Sequence, residues 1–426
     1  MLLVKDIRDN KEQYIAGLQK RGIADAETLL NHVIALDDNR KQLQGDQDEA
    51  LAQSNSLAKQ IGQLMKNGQK EEAESIKQQT SDLKTKAREL GEALQSTADQ
   101  LQEALYNLPN VPLEEVPAGK SEADNEVVKS PADLPTLPDT ALPHWDLVKA
   151  YDIIDFELGV KLTGAGFPVY KREGARIQRA MINFFLDEAI KAGYHEVQPP
   201  VLINEASGYG TGQLPDKEGQ MYHVGSENFY LIPTAEVPIT NMYRDQILDE
   251  AQLPIRNVGY TPCFRREAGS WGAHVRGLNR LHQFDKVEIV HIEHPAKSME
   301  ALDQMCNHVA MLLDKLELPY RILKLCAGDL GFTSAITYDF EVYSAAQKRW
   351  LECSSVSNFK NYQANRLKLR YKDDDNQKHL LHTLNGSALA LPRILAALLE
   401  NNQTADGIAI PKALHPYTGF ERIEKT

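Results

Sequence analysis

Tyr260-Thr-Pro-Cys-Phe-Arg-Arg-Glu-Ala-Gly269, read on to Val290, sets Arg265, Arg266, Glu267, Arg276, Arg280, His282, Lys286 and Glu288 among Phe264, Trp271 and Phe284. A charge run of this kind is more often a solvated hairpin edge. Arginine, however, can clamp a phosphate with two parallel hydrogen bonds and stack on an aromatic base. No Gly-x-x-x-x-Gly-Lys-Ser/Thr and no Gly-x-Gly-x-x-Gly following a strand occurs in the 426 residues. A nucleotide held here must therefore be gripped by side chains rather than by a glycine-rich backbone cradle.

Outward from this run the texture is that of a mixed α/β domain beginning near Leu142. The pattern predicts an amphipathic helix near Ala175–Ala192 and a strand at Val197–Ile203 broken by Pro199-Pro200. Strand-like runs recur at Phe229–Ile232, Lys286–Ile292, Tyr320–Leu325, Tyr338–Val342 and Trp350–Cys353. Hairpin-like neighbours with few strand–helix–strand repeats favour an antiparallel sheet and an α+β class.

Toward the N-terminus, Leu29, Leu36, Leu43, Ala50, Leu57 and Leu64 recur every seven residues. Val33 and Ile61 fill the outer half-steps, and Arg40, Gln47 and Ser54 the inner ones. After Asn67-Gly68 the pattern resumes as Ile76, Leu83, Ala87, Leu90, Leu94, Leu101, Leu105 and Leu108. Asn-Gly tolerates the left-handed backbone that lets one helix end and another begin. Two antiparallel helices of about 60 Å each are expected, with a seam too narrow to dock on a large core, hence a coiled-coil arm. Such an arm can serve merely to join subunits. Its basic residues gather at Lys59, Lys66 and Lys70 near the tip and at Lys77, Lys84, Lys86 and Arg88 on the second helix, weak signs of phosphate contact.

From Pro109 to Pro143 seven prolines interrupt any regular element, so this stretch reads as a linker between an N-terminal domain, 1–108, and a larger C-terminal domain, 144–426. The net charge of −13 excludes a general polyanion binder and confines any RNA contact to a local patch. The first residues offer neither a signal core nor a cleavage site, and no apolar run is long enough for a membrane span, so a cytoplasmic protein without a membrane partner is expected. Cys263, Cys306, Cys326 and Cys353 are scattered, which suggests packing thiols rather than a disulfide or zinc framework. His291/His294 and His379/His382 have metal-compatible spacing but lack further ligands nearby.

Taken together, the motifs resemble those of class II aminoacyl-tRNA synthetases. Phe264-Arg-x-Glu267 followed by His282-Gln-Phe284 is similar to the second signature of that class, Gly386-Ser-Ala-Leu-Ala-Leu-Pro-Arg393 to the third, read as a helix start, and Gly174–Pro200 to the first. Thr234-Ala-Glu236, Glu352-Cys-Ser-Ser355 and Thr383-Leu-Asn-Gly-Ser387, with the N-terminal hairpin, resemble the seryl-tRNA synthetases of bacterial type along essentially the whole chain. The resemblance implies an antiparallel catalytic core flanked by helices, a homodimer joined through Gly174–Pro200, and ATP with Mg²⁺ as cofactors. It implies L-serine and tRNA(Ser) as substrates, with tRNA(Sec) a further candidate.

Residue by residue, it implies that Arg265, Glu267 and Arg393 carry catalysis. Arg265 would meet the α-phosphate and the serine carboxylate, Glu267 the adenine amino group, Phe284 the adenine face, and Arg393 the γ-phosphate with its plane on the other face of the base. Arg266, Glu352, Cys353, Ser354 and Ser355 complete the ATP set, Glu352 and Ser355 meeting Mg²⁺. Thr234, Ala235, Glu236, Arg265, Glu288 and Ser387 would bind serine. Two departures stand out: Val275 where the family commonly has a small polar residue, which bears on contacts with the tRNA end, and Leu391-Pro392 where Val-Gly is frequent. A ligase acting on a carrier protein would lack the long hairpin, and an adaptor with a decayed site would not keep Arg265, Glu267, Glu352 and Arg393.

Overall fold

The computed structural model describes residues 1–268, 272 and 275–425. Contacts divide the chain into two compact units, Met1–Gln19 with Ile23–Pro109 and Lys20–Gly22 with Asn110–Thr426.

In the first unit, α1 (Ala26–Lys66) and α2 (Lys70–Tyr106) pair along the expected seam, and Gly68 supplies a φ of 79° at the turn between them. Toward Asn67-Gly68 full burial falls on small side chains, Ala50 and Ser54 of α1 and Ala73, Thr80, Ala87 and Thr97 of α2, whereas Leu30, Val33, Leu36, Leu101 and Leu105 are buried at the other end. Leu43, Leu57, Leu64, Leu83, Leu90 and Leu94 are only half-buried, because two helices cannot enclose a long side chain. Two of the three polar half-steps find partners, while the buried Ser54 Oγ has none among the described residues. Arg40 pairs with Asp37 at 3.0 Å, and Gln47 Nε2 donates to the Ala87 carbonyl at 3.2 Å.

The second unit is built on an eight-stranded sheet. In chain order its strands are β1 (Glu126–Lys129), β2 (His195–Glu196), β3 (Ile255–Phe264), β4 (Gln283–Glu293), β5 (Tyr320–Lys324), β6 (Ile336–Ser344), β7 (Arg349–Asn358) and β8 (His382–Ala390). In space they run β1-β5-β6-β7-β8-β4-β3-β2, every pair antiparallel except β2 with β3. The expected strand at Val197–Ile203 is replaced by short pieces on either side of the proline pair, His195–Glu196 and Leu202–Asn204, since proline cannot donate to a ladder. Residues 109–143, expected as a linker, belong almost wholly to this unit, because β1 pairs with β5 at the sheet edge. Gly386–Ala390, expected to open a helix, is strand. The helix α8 (Leu391–Asn401) starts only at Leu391, with Pro392 in its first turn, where a missing N–H costs nothing.

Four more helices, α3 (His144–Ala150), α4 (Arg172–Lys191), α6 (Ser298–Lys315) and α7 (Tyr362–Leu367), surround the sheet together with the short α5 (Glu236–Asn241). Phe184 and Phe185 of α4, Leu302 and Met305 of α6, and Ile394 and Leu398 of α8 form one core with Val287, Ile289, Phe340, Val342, Val356 and Leu384 of the strands.

Candidate functional site

Side chains alternate between the faces of a strand, so burying Val287, Ile289, Phe340 and Val342 on one face commits their neighbours to the other. That second face floors a cleft of about 1120 Å³, into which β4 sends Lys286 and Glu288, β6 sends Asp339 and Glu341, and β8 sends Asn385 and Ser387. Glu352 and Ser355 of β7 also line it, although an odd spacing should set them on opposite faces. The register explains this. Phe340 faces Ser354 and Glu341 faces Glu352, which leaves Cys353 as the extra residue of a β-bulge. The bulge turns Cys353 into the core and restores Ser355 to the cleft, opposite Asp339.

The carboxylate of Glu288 is fully buried, and each oxygen is occupied. Lys286 Nζ lies 2.8 Å from Oε2, Ser387 Oγ donates to Oε2 at 3.2 Å, and Asn385 Nδ2 donates to Oε1 at 2.9 Å. A buried charge of this kind persists only when paired and hydrogen-bonded. Nearby, Glu236 opens α5, and its Oε1 accepts from Gln363 Nε2 at 2.7 Å, while Gln363 Oε1 accepts from Thr383 Oγ1 at 2.7 Å. Burial pushes the Glu236 carboxyl up to about 7, with Glu288 adding to the rise and the Gln363 hydrogen bond, Lys286 and Arg265 opposing it. Thr234 Oγ1 accepts from the Glu236 backbone N–H at 3.3 Å.

Arg265 stands just past β3, with its Nε donating to the Pro233 carbonyl at 3.4 Å and its guanidinium 5.3 Å from the centroid of the Phe284 ring. Its backbone is fixed by His282, whose carbonyl accepts from the Arg265 N–H at 2.9 Å and whose Nδ1 lies 3.0 Å from the Arg265 carbonyl. Glu267 adopts φ 48°, an uncommon left-handed conformation for a residue other than glycine. Its N–H donates to Gln220 Oε1 at 3.1 Å, and its carboxylate pairs with Arg280. On α8, Arg393 donates from Nε to the Asn279 carbonyl at 3.0 Å and from Nη1 to the Glu352 carbonyl at 2.6 Å, with Glu352 Oε2 at 3.6 Å. Asp339 completes this end. Burial first, and Glu352 second, hold its carboxyl well above the usual carboxylate range, and its Oδ1 has no hydrogen-bond partner among the described residues.

Thr234, Glu236, Arg265, Glu267, Glu288, Glu352, Ser355 and Ser387 thus share one cleft. Six expected residues, Phe284 and Arg393 among them, do not line it. Cys353 is core, its Sγ donating to the Phe340 carbonyl at 3.3 Å and its thiol pushed up by burial. Ser354 is buried and donates to the Ser387 carbonyl at 2.5 Å, Ala235 packs with Ile239 and Val290, and the Arg266 side chain is exposed outside the cleft lining. Arg393, expected across the base from Phe284, has its guanidinium tied instead to Asn279 and Glu352, and it is Arg265 that lies over Phe284. Gly269, Trp271 and most of the loop leading to Val275 lie outside the described residues. The sequence reading missed Asp339, Gln363 and Asn385; the Asp339-x-Glu341 alternation within a strand is the one signal that could have pointed to a polar face. Among the described residues there is no cluster of three His, Cys, Asp or Glu that could hold a metal ion.

Comparison with known proteins agrees with this geometry. Residues 1–112 match the seryl-tRNA synthetase N-terminal domain, and residues 222–402 match the tRNA synthetase class II core domain (G, H, P, S and T). The chain is 48% identical to a serine–tRNA ligase of Salinibacter ruber and 45% identical to one of Akkermansia muciniphila, each over 99% of both chains. It superimposes on the crystal structure of seryl-tRNA synthetase from Pyrococcus horikoshii complexed with ATP with a TM-score of 0.93 and 32% identity, covering all of both chains. A core of one polar-faced antiparallel sheet, a paired-helix arm, and full-length identity near one half lead to one assignment: the chain belongs to the seryl-tRNA synthetase family of class II aminoacyl-tRNA synthetases.

Proposed function

We propose that this chain activates L-serine with ATP as seryl-adenylate and transfers the seryl group to the 3′ end of tRNA(Ser), with tRNA(Sec) a second candidate acceptor. The observation that carries this reading is the convergence of Glu236, Glu288, Ser387 and Arg265 on one cleft. Glu236 receives the serine ammonium, and Arg265 meets the serine carboxylate and the α-phosphate. Glu288 and Ser387, with Thr234, surround the serine hydroxyl. A pocket that hydrogen-bonds a hydroxyl is left with unpaired polar groups when alanine enters, so discrimination against alanine up to about 10⁴-fold is attainable.

The serine carboxylate attacks the α-phosphorus, pyrophosphate leaves, and the terminal ribose hydroxyl of the tRNA then attacks the seryl carbonyl, releasing AMP. No protein nucleophile is required, which fits the buried thiols of Cys263 and Cys353, both pushed up by burial. Arg265 neutralises charge that builds on the α-phosphate, and Arg393 holds the γ-phosphate. Glu267 accepts from the adenine amino group, while Phe284 supports the base with the ring face that Arg265 leaves open. Glu352 and Ser355 would hold Mg²⁺ with the ATP phosphates; the orphaned Asp339 Oδ1 and the all-oxygen donor set fit a hard cation. When bound, that ion draws charge from the phosphates.

We further place the acceptor tRNA on the arm, where Lys59, Lys66, Lys70, Lys77, Lys84, Lys86 and Arg88 are all exposed, and a homodimer contact along Gly174–Pro200, with the enzyme acting in the cytoplasm. No described helix is long and apolar enough to cross a membrane. The deciding test is pyrophosphate exchange with each amino acid in turn. Exchange that requires serine is expected, and exchange without amino acid, or only with another one, overturns the reading.

A further inference from the structure

We infer that the buried pair His144–Glu400, together with Gln347, is a positioning device that sets Arg393 for the terminal phosphate of ATP. The inference rests on the reading of Arg393 as the γ-phosphate ligand given above.

Neither side chain has any exposure to solvent, and neither lines the cleft. Glu400 Oε1 accepts from the His144 backbone N–H at 2.9 Å, lies 2.7 Å from His144 Nδ1, and accepts from Gln347 Nε2 at 2.9 Å; Oε2 accepts from Ser344 Oγ. On the far side of the ring, His144 Nε2 accepts from the Leu278 backbone N–H at 2.8 Å, so the ring proton resides on Nδ1 and points at Glu400. Gln347 passes the contact on through its Oε1, which accepts from Asn279 Nδ2 at 2.9 Å. The Asn279 carbonyl in turn accepts from Arg393 Nε at 3.0 Å.

These bonds form a closed circuit. It leaves α8 at Glu400, crosses α3 through His144, reaches residues 278–279 at the end of the arginine-bearing loop, and returns to α8 at Arg393, seven residues before it began. Loss of any member frees the Asn279 carbonyl to shift, and with it the guanidinium that it holds. Close approach is built into the circuit. Gly277 has φ 67°, and a Cβ there would lie 2.3 Å from His144 Nε2. The neighbours of His144 on α3 brace the same segment: the Trp145 ring centroid lies 4.8 Å from the Arg276 guanidinium, and Asp146 Oδ1 lies 3.9 Å from Arg276 Nη2. A charged carboxylate without solvent is costly to maintain for packing alone, because an apolar residue of similar volume would serve as well or better. What it gives here is orientation.

The test is steady-state pyrophosphate exchange by the full-length chain, with ATP and serine varied separately. Gln347→Ala and His144→Ala should raise the KM for ATP by about tenfold, the effect of one lost orienting hydrogen bond, while the KM for serine stays within about twofold. Glu400→Gln keeps the carbonyl acceptor for His144 and Gln347 and should stay within about threefold of the parent enzyme. Gln347 is only half-buried, so Gln347→Ala carries the test if His144→Ala does not fold. An unchanged KM for ATP in folded Gln347→Ala overturns the inference, as does a parallel rise for both substrates. Arg393→Ala separates the two claims. Exchange retained in that variant overturns the reading and the inference with it, whereas exchange lost in Arg393→Ala but normal in Gln347→Ala overturns the inference alone.

Discussion

Gln363 donates from Nε2 to Oε1 of Glu236 at 2.7 Å and so fixes the plane of a carboxylate whose ionisation is poised near 7. The ionised form is the one that attracts an ammonium group, and it is lost as pH falls through about 7. The KM for serine should therefore rise below neutrality, by at most about tenfold per pH unit, while the KM for ATP changes little. Glu236→Gln should raise the serine KM by about 10- to 100-fold and flatten this profile. Exchange kinetics between pH 6 and 8 check both, and a flat profile in the parent enzyme contradicts the role given to Glu236.

Asp339 sits behind Ser355 and beside Glu352 with one unpartnered oxygen. Asp339→Asn keeps the shape and replaces a carboxyl oxygen by an amide nitrogen, which cannot coordinate a cation. Exchange should fall by about 10- to 100-fold, and the Mg²⁺ concentration for half-maximal rate should rise, as for groups that orient metal ligands. An unaltered Mg²⁺ requirement would remove Asp339 from that end of the site.

Cys353 contributes packing in the core rather than chemistry in the cleft. Cys353→Ala should cost about 1 kcal/mol of stability and leave exchange within about threefold, since only a small buried group is lost. Deleting Cys353 removes the bulge and leaves Glu352 and Ser355 two residues apart, both on the cleft face, so exchange should persist in chains that remain folded while stability falls further. Circular dichroism alongside the exchange assay distinguishes the two variants.

The arm, the helix at Arg172–Lys191 and most central strands were legible because each carries a strong period or a β-branched and aromatic run. Ile255–Phe264 and His382–Ala390 were not read as strands. Both are rich in glycine, asparagine, serine or proline, whose weak strand preference is overridden by pairing on both sides within the sheet. In the site, the motif residues that point into the cleft were legible by resemblance. Cys353, Ser354 and Ala235 were included only because they adjoin such residues, and a one-residue bulge decides which neighbours face which way. Gln363 comes from a helix remote in sequence and carries no local signal of its contact with Glu236.

Three buried histidines set an acid limit. His291 and His382 are lowered to about 3 and His308 to about 4, first by burial and then by nearby positive charge at Arg256 for His291 and Lys360 for His382, while Glu188 opposes the fall at His308. In the unfolded chain each binds a proton near 6.5, whereas the folded chain binds none until pH 4 or below. Protons therefore favour unfolding across that window, and stability should fall as pH drops from about 6.5 to 4, by up to about 1.4 kcal/mol per unit for each histidine. Thermal melts at pH 7 and 4.5 measure the loss. His382→Gln should flatten part of it, and a melting temperature independent of pH would count against burial of these rings.

Toward Asn67-Gly68 the seam between α1 and α2 closes on alanines, serine and threonines, with Leu43, Leu57, Leu64, Leu83, Leu90 and Leu94 only half covered. Helices joined so thinly share little cooperative stability with any larger core, and each turn depends mainly on the turns next to it. Backbone amides near Asn67-Gly68 should exchange with solvent deuterium soonest, with protection rising turn by turn toward Leu36 and Leu101. The same helices would then present a pliant tip on a stiffer base, whose last turns can shift while Leu30, Val33, Leu101 and Leu105 stay packed.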